Sequence, residues 1–527
     1  MLAWPLEFAA RTYGDRTAVI DGDRVWTYHE LRGRVRRLGA ALDGLSLSPG
    51  APIGALLANT AELLELWLAV PAYGRVLVPL NTRLAVPELA FIAGDARIST
   101  LVVDAAHLQT GRRLREQCQA LSVLVFAGPG RCPPDCIPFE ALHPTDGIAP
   151  PDLPSDTTAA VMYTGGTTGH PKGVALSHGN VLANSKHVWI TNRLLPDDRW
   201  LHASPLFHAA GSQMIHPLTW VGATHVLTSH FDPGEFVRLV AEHRVTATLM
   251  VPTMIRMIVD HLAADPGVDM SSLRLLHYGA APMPVDLLRS AATVLDCEFV
   301  QGYGMTEAGP AVTTLSPQAH RAALAGEHLN RLGSVGCAMP GVQLEVRDAL
   351  GQPVAEGTVG EVWVRGPNVM KGYLDRPAET EQVLVDGWYR TGDAGRLDGA
   401  GYLYLVDRLR DMIISGGENV YSIEVERAVG THPQVAEVAV VGVPDERWGE
   451  RVHAVVVVTP RSCITAGDVV DHCRPLIAGY KLPTSVEIGA DPLPKSGVGK
   501  VLKREIRQKA AQSRTTNGQA LLSRAPV

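Results

Sequence analysis

Residues 158–174 read TAAVMYTGGTTGHPKGV, an apolar, β-prone run followed by a loop of Gly and Thr that leads to Lys172. Because Gly has no Cβ, backbone N–H groups in such a loop can approach a ligand closely. Successive N–H groups and Thr hydroxyls form a concavity that binds anions, and Lys adds a mobile positive charge. Ser177 stands before a helical pattern as a candidate N-cap. The stretch therefore predicts a strand, a phosphate-binding loop and a helix, an arrangement by which α/β proteins hold nucleotides.

The loop does not match the two common nucleotide fingerprints. Neither GxxxxGK[ST] nor GxGxxG occurs in the sequence, so a P-loop and a dinucleotide-binding turn are both excluded. A solvated, flexible loop is the alternative interpretation of such a run. The Lys and the predicted strand and helix favour phosphate binding.

Composition bounds the class of protein. The 527 residues carry a net charge of −7 and are 46% hydrophobic and 19% charged, which predicts a globular chain of several domain-sized units and argues against a nucleic-acid partner. Seven scattered Cys favour reduced thiols in the cytoplasm, and the CPPDC segment (132–136) is interpreted as a loop rather than a zinc site. Charged residues come too early for a signal peptide, and no apolar run is long enough for a membrane span.

Alternating helical and strand patterns over 20–150 and again over 223–279 predict parallel sheets built from βαβ units. From about residue 330 the chain is rich in Gly, Val and short alternating segments, which are typical of antiparallel β structure. We therefore expect an α/β fold with a large N-terminal domain (1–407) that includes a β-rich subdomain (about 330–407). A small, mobile α+β domain (408–511) and a disordered tail (512–527) would follow.

Five motifs in the same order give the chain a specific resemblance. YTGGTTGHPKGV (163–174), QGYGMTE (301–307), WYRTGD (388–393), DRLRDMIISGGENVY (407–421) and PKSGVGK (494–500) are similar to motifs of the adenylate-forming superfamily. This superfamily contains acyl- and aryl-CoA synthetases, luciferases and the adenylation domains of peptide synthetases. The resemblance covers roughly residues 5–508 and implies that ATP, Mg²⁺ and coenzyme A take part in joining a small-molecule carboxylic acid to CoA.

The resemblance also implies a role for each matched residue of the ATP site. Glu307 would hold Mg²⁺, and Thr306 would contact the α-phosphate. Tyr303 would stack on adenine, and Asp393 and Arg408 would bind the ribose hydroxyls. The other wall of the adenine site would be Gly279, Ala280 and Ala281, and the β- and γ-phosphates would lie against Thr164, Gly165, Gly166, Thr167, Thr168, Gly169 and Lys172.

Residues near the C-terminus would serve both steps of the reaction, the formation of the acyl adenylate and the transfer of the acyl group to the CoA thiol. Lys500 would enter the site to stabilise the adenylation transition state, and then leave as the small domain rotates about a hinge at Arg410. Gly416 and Gly417 would let the pantetheine arm pass close to the backbone, and Trp448 would line the CoA tunnel. An ordinary interdomain turn is the alternative interpretation of the hinge segment.

The acid pocket is the least determined part of the site. His208, in SPLFHAAGSQM (204–214), stands where the family has an aromatic residue or His beside the carboxylate; a structural His is the alternative. The matched segments contain small or soft residues and no Arg or Lys, which favours an apolar aliphatic or aromatic monocarboxylate over a dicarboxylate. Two positions depart from the family: Gly165 replaces a more common Ser, and Ser422 replaces a common Pro and is predicted to cap the following helix.

The predicted function is an AMP-forming acid–CoA ligase. One alternative is an enzyme that loads the acyl group onto a carrier-protein pantetheine, although no carrier domain follows residue 510. A light-emitting oxygenase using the same adenylate and a catalytically silent acyl-nucleotide-binding protein are further alternatives. A homodimer is compatible with the sequence.

Overall fold

The computed structural model describes residues 1–512 apart from 46, 144–145, 165–170, 266, 409–410, 416–417, 446–447, 461 and 496–500. The helices are α1 Trp4–Thr12, α2 Tyr28–Gly44, α3 Ala61–Ala72, α4 Val86–Asp95, α5 Leu108–Gln117, α6 His178–Asn192, α7 Ala209–Ser212, α8 Ile215–Val221, α9 Pro233–His243, α10 Pro252–Ala264, α11 Val285–Leu295, α12 Pro317–Leu324, α13 Pro377–Val383, α14 Ser422–Gly430, α15 Ala466–Cys473 and α16 Lys503–Gln512. Short 3₁₀ turns occur at Phe139–Leu142, Thr306–Ala308, Leu329–Gly333 and Gly479–Lys481.

The first strands are β1 Thr17–Asp21, β2 Arg24–Thr27, β3 Pro52–Leu56, β4 Val76–Pro79, β5 Thr100–Val103, β6 Val123–Phe126, β7 Ile137–Pro138, β8 Thr158–Thr164 and β9 Lys172–Ser177. They are followed by β10 Arg199–His202, β11 Thr224–Leu227, β12 Ala247–Met250, β13 Leu275–Gly279, β14 Glu298–Gly304, β15 Ala311–Leu315, β16 Cys337–Ala338, β17 Gln343–Arg347 and β18 Gly360–Arg365. The remaining strands are β19 Gly372–Tyr373, β20 Leu384–Val385, β21 Trp388–Leu397, β22 Leu403–Arg408, β23 Ile413–Ser415, β24 Glu418–Val420, β25 Val435–Asp445, β26 Gly449–Val458 and β27 Ser485–Gly489.

The first sheet has the order β16-β15-β14-β13-β12-β10-β11-β1-β2. Its inner strands, from β14 to β1, are parallel, and antiparallel strands flank them on both sides. Parallel strands joined by helices confirm the predicted α/β class. Because the inner strands share one direction, the segments that follow β10, β13 and β14 leave the same edge of the sheet, where α/β proteins bind ligands.

The second sheet has the order β19-β9-β8-β4-β3-β5-β6-β7 and corrects one prediction. The Gly- and Thr-rich loop does not lead directly into a helix: β8 and β9 pair antiparallel, with Thr164 opposite Lys172. The apolar residues after Lys172 form a second strand, which pairs with β8 on one side and with β19 on the other. Helix α6 begins only after β9, and there Ser177 is the predicted N-cap, its Oγ accepting from the Asn180 N–H at 3.1 Å.

Two further sheets have the orders β17-β18-β21-β20, with β22 beside β21, and β24-β23-β26-β25, with β27 beside β26. The chain forms two compact units: the first comprises Met1–Leu344, Trp363–Arg390 and Ala400–Leu403, and the second comprises Glu345–Val362, Thr391–Gly399 and the chain from Tyr404 onward. The domain boundary at residue 407 stays a prediction. Gln512 ends α16, and the rest of the predicted tail lies outside the described residues.

The second unit corrects the prediction for Ser422. Tyr421 is the N-cap of α14 and Ser422 is its first residue. The Ser422 N–H donates to the Asp407 carboxylate, so Asp407 supplies the oxygen that a capping side chain would otherwise provide. The Ser422 hydroxyl instead accepts from Lys503 Nζ at 2.5 Å.

In the part of the chain described above, no helix is both long and apolar enough to cross a membrane.

Candidate active site

The two segments predicted to enclose adenine lie side by side. Gly279, the last residue of β13, is in register with Gly302 of β14, and a Cβ on Gly279 would lie 2.4 Å from the Gly302 carbonyl oxygen. Ala280 then adopts a left-handed conformation with φ of 63°, which is strained for a residue with a Cβ. The chain therefore turns sharply at the carboxyl end of β13, next to the half-buried Tyr303 of β14.

The 3₁₀ turn Thr306–Ala308 follows β14 and carries the two residues predicted to act at the phosphates. Thr306 is buried, whereas Glu307 is partly exposed. The Glu307 carbonyl oxygen accepts from the Met370 N–H at 2.9 Å, and the Tyr373 hydroxyl donates to Glu307 Oε1 at 3.2 Å. Burial, with the Glu307 charge as a smaller cause, raises the pKa of Tyr373, so its hydroxyl remains a donor at neutral pH.

Lys172 lies beside the same tyrosine. Its Nζ is 2.5 Å from Glu379 Oε2 and 5.0 Å from the centroid of the Tyr373 ring, a distance typical of a cation–π contact. Strand β19 makes this possible, because Tyr373 pairs with Val174 of β9 two residues beyond the lysine. Tyr373 thus brings together Lys172 and Glu307, two predicted site residues that are far apart in the sequence.

A polar network continues from Glu379 to Arg376, the residue that precedes α13. Arg376 Nε lies 3.8 Å from Glu379 Oε1, and Arg376 forms an ion pair of 2.6 Å with Asp95. The Tyr163 hydroxyl donates to the other Asp95 oxygen at 2.7 Å. Sequence reasoning missed this network and Tyr373, since the β9–β19 pairing joins residues about two hundred positions apart and leaves no local pattern.

His208 has a structural role that the sequence analysis raised as an alternative. It is the N-cap of α7, and its Nδ1 accepts from the Ala210 N–H at 3.2 Å, so the ring proton of a neutral His208 lies on Nε2. The segment follows β10 and therefore leaves the same sheet edge as Gly279 and Tyr303. At Gly211 a Cβ would lie 2.2 Å from the Pro205 carbonyl oxygen, so this turn requires glycine.

Two predicted site residues are described with the second unit. Asp393 lies on β21 and is buried, and its N–H donates to Thr391 Oγ1 at 3.0 Å. Trp448 lies between β25 and β26, is 44% exposed, and donates its N–H to Asp445 Oδ1 at 3.2 Å. Arg408 ends β22. Its side chain and several predicted residues lie outside the described residues: Gly165, Gly166, Thr167, Thr168, Gly169, Arg410, Gly416, Gly417 and Lys500.

The donor set at Glu307 fits a magnesium ion held jointly with substrate. Among the residues whose positions are described, no group of three or more His, Cys, Asp or Glu could hold a metal. Mg²⁺ is commonly bound through one or two carboxylates together with substrate phosphates rather than by an all-protein cage. One half-buried carboxylate, which contacts the same tyrosine as a candidate phosphate-binding lysine, meets that requirement.

Comparison with known proteins agrees with this arrangement. Residues 6–374 match the family model described as AMP-binding enzyme, and residues 424–500 match the AMP-binding enzyme C-terminal domain. A feruloyl-CoA synthase of Amycolatopsis sp. is 42% identical over 96% of this chain and 98% of its own. The fatty acid–[acyl-carrier-protein] ligase ScoC of Streptomyces coeruleorubidus is 36% identical over 93% of each chain.

The solved structure of the amide bond synthetase McbA from Marinactinospora thermotolerans superposes with a TM-score of 0.86 at 31% identity, covering 97% of this chain and 100% of that one. The family models, the related sequences and the solved structure all identify the same family, and the last two cover more than nine-tenths of the chain. The chain therefore belongs to the AMP-binding enzymes, in the acyl- and aryl-CoA synthetase family of the adenylate-forming superfamily.

Proposed function

We propose that this chain joins an apolar, preferably aromatic, monocarboxylate to coenzyme A, forming an acyl adenylate from ATP and then the thioester. One observation carries the proposal: Tyr373 brings the Lys172 ammonium and the Glu307 carboxylate together within one unit. A cation for the phosphates and a carboxylate for Mg²⁺ are what a reaction on the α-phosphate of ATP requires.

In the first half-reaction the acid's carboxylate attacks the α-phosphorus, and pyrophosphate leaves. Lys172 and Thr164, with the glycines and threonines of the loop, bind the β- and γ-phosphates, and Thr306 contacts the α-phosphate. Glu307 holds Mg²⁺, which offsets the negative charge of the phosphates. Lys500 stabilises the charge that develops at the α-phosphate in the transition state.

The residues proposed for the nucleoside are assigned from their motifs. Tyr303 stacks on adenine, and the turn at Gly279, Ala280 and Ala281 forms the facing wall. The support is the register of β13 and β14, which keeps these segments adjacent. Asp393 and Arg408 are assigned to the ribose hydroxyls from their motifs.

In the second half-reaction the CoA thiol attacks the acyl carbonyl, and AMP leaves. The small domain rotates about Arg410 so that Lys500 is replaced by the pantetheine arm, which passes Gly416 and Gly417 next to Trp448. Such a rotation completes one set of catalytic groups at a time. ATP, CoA and the scattered cysteines favour a cytoplasmic location.

The acid pocket is assigned to the segment around His208. Its neighbours are small or soft, among them Ala209, Gly211 and Met214, and residues 204–214 contain no Arg or Lys. A second carboxylate on the substrate would therefore lack a cation in this segment. The 42% identical feruloyl-CoA synthase makes aromatic acids the first class to test.

A carrier protein is the second candidate acceptor, because the related ScoC is named as a ligase for one. The deciding experiment measures pyrophosphate release and thioester formation with Mg·ATP across short, medium, long and aromatic acids, each with and without CoA. We expect thioester only with CoA and most rapidly for aromatic acids. Adenylate that accumulates despite CoA would favour a carrier-protein acceptor, and no pyrophosphate with any acid would contradict the proposal.

A further inference from the structure

We infer that Glu379 competes with nucleotide phosphates for the Lys172 ammonium and thereby weakens the binding of ATP. The inference rests on the proposed role of Lys172 and adds a residue that tunes its availability. Glu379 Oε2 lies 2.5 Å from Lys172 Nζ, so the lysine is already paired with a carboxylate. A phosphate oxygen can bind the same ammonium only by replacing or sharing that partner.

The pair is accessible enough to exchange partners. The Lys172 side chain is 18% exposed and the Glu379 side chain 35%, so both side chains meet solvent, although the paired Glu379 Oε2 atom is itself covered. An ion pair in such a position is weaker than a fully buried one, because water screens it and solvates its separated members. The Lys172–Glu379 contact is therefore one that a multiply charged phosphate can displace.

Glu379 also has a second positively charged neighbour. Arg376, the N-cap residue of α13, lies with Nε 3.8 Å from Glu379 Oε1. Arg376 is itself held by Asp95, which also accepts from Tyr163. When Lys172 turns to a phosphate, the Glu379 carboxylate keeps a positive neighbour, so the exchange leaves no isolated charge.

The same competition acts on pyrophosphate. Every anion that uses Lys172 must displace Glu379 or share the ammonium with it, so the product that leaves after adenylation is released more readily. Glu379 is therefore a positioning residue that lowers phosphate affinity, rather than a group that contacts the reacting atoms.

The test measures binding of Mg·ATP, without acid, by isothermal titration calorimetry. Glu379→Gln keeps the shape of the side chain and removes its charge; we expect Kd to fall roughly five-fold, the size of a partly exposed ion pair. Glu381→Gln is the matched control, since Glu381 is exposed on the same helix and its loss removes the same charge without touching the pair. An unchanged or raised Kd in Glu379→Gln, or equal tightening in both variants, would overturn the inference.

A double-mutant cycle shows whether the effect passes through the lysine. In a Lys172→Met background, we expect Glu379→Gln to change the Kd of Mg·ATP by less than half as much on a logarithmic scale. The same tightening in both backgrounds would mean that Glu379 repels phosphate without competing for Lys172, and would also overturn the inference. Pyrophosphate release by the wild type reports on the proposed function separately, because the binding measurements need no acid or turnover.

Discussion

Replacing Tyr373 with Phe tests whether the candidate magnesium ligand is oriented by its neighbour. The substitution removes the hydroxyl that donates to Glu307 Oε1 at 3.2 Å and keeps the ring that lies 5.0 Å from Lys172 Nζ. The contact between the Tyr373 ring and Lys172 should therefore be preserved, while the Glu307 carboxylate loses its hydrogen bond from Tyr373. Loss of a hydrogen bond that orients a metal ligand typically weakens metal binding 10- to 100-fold.

The lower end of that range applies here, because the hydrogen bond is long and Glu307 is partly exposed. We expect the Mg²⁺ concentration for half-maximal pyrophosphate release to rise roughly ten-fold, equivalent to about 1.4 kcal/mol. The rate at saturating Mg²⁺ should change by less than about two-fold, since the hydroxyl does not act on the reacting atoms.

The assay follows pyrophosphate release against free Mg²⁺ at saturating ATP and acid. Tyr13→Phe, a hydroxyl deletion at the C-cap of α1, serves as the matched control and should behave as the wild type. An unchanged half-saturating Mg²⁺ concentration in Tyr373→Phe would refute the assignment of Glu307 as an oriented metal ligand. A loss of rate at saturating Mg²⁺ with unchanged half-saturation would refute it equally, because the hydroxyl would then act elsewhere.

Three further predictions concern stability and catalysis. His216 is fully buried, and burial lowers its pKa to about 3. In the unfolded state the same group has its ordinary pKa of about 6.5 and binds a proton more readily. The free energy of unfolding therefore decreases as the pH falls below 6.5, by about 2 kcal/mol at pH 5. The urea midpoint of His216→Leu should therefore exceed that of the wild type by more at pH 5 than at pH 8. The exposed His230→Leu should show the same difference in midpoint at both pH values. Gly304→Ala would place a Cβ 1.7 Å from the Pro310 carbonyl oxygen and should lower the free energy of unfolding in denaturant by about 3 kcal/mol. Gly333→Ala, where a Cβ meets no neighbour, should lower it much less. A similar decrease in both variants would contradict the steric argument. Lys500→Ala should slow acyl-adenylate formation roughly 100-fold or more and spare thioester formation from supplied adenylate; equal loss of both steps in a stopped-flow assay would contradict the rotation.

The fold was largely predictable because its helices and inner strands follow local patterns. Tyr28, Leu31, Val35, Leu38 and Leu42 recur at helical spacing in α2 and are all buried. Short apolar segments between helical patterns predicted that the sheets are parallel, which the inner strands of the first sheet confirm. The interpretation failed at residues 172–177, where the helical pattern that begins at Ser177 obscured a six-residue strand. A short apolar run has too little periodicity to distinguish a strand from the approach to a helix.

The roles of the candidate site residues stay predictions, and the sequence could assign them only where a motif resembles one of the family. The segments containing Gly279, Tyr303 and Glu307 were assigned through the resemblance to the adenylate-forming superfamily, and the register of β13 and β14 places Gly279 beside Gly302. Tyr373 and Glu379 were not identified, because their positions depend on β19 pairing with β9 across the sequence. The same limit applies to Ser422, whose capping role is taken by Asp407, fifteen residues earlier.

The pairing of β19 with β9 also constrains the order in which the protein folds during its synthesis on the ribosome. Lys172 is synthesised early, but the tyrosine and glutamate that surround it emerge about two hundred residues later. The first sheet has a similar requirement, since β1 takes its place only beside β11. Contacts so distant in sequence form slowly and late. A nascent chain that ends before residue 373 therefore holds Lys172 without Tyr373 or Glu379, so the arrangement around the candidate phosphate-binding lysine forms near the end of synthesis of the first unit.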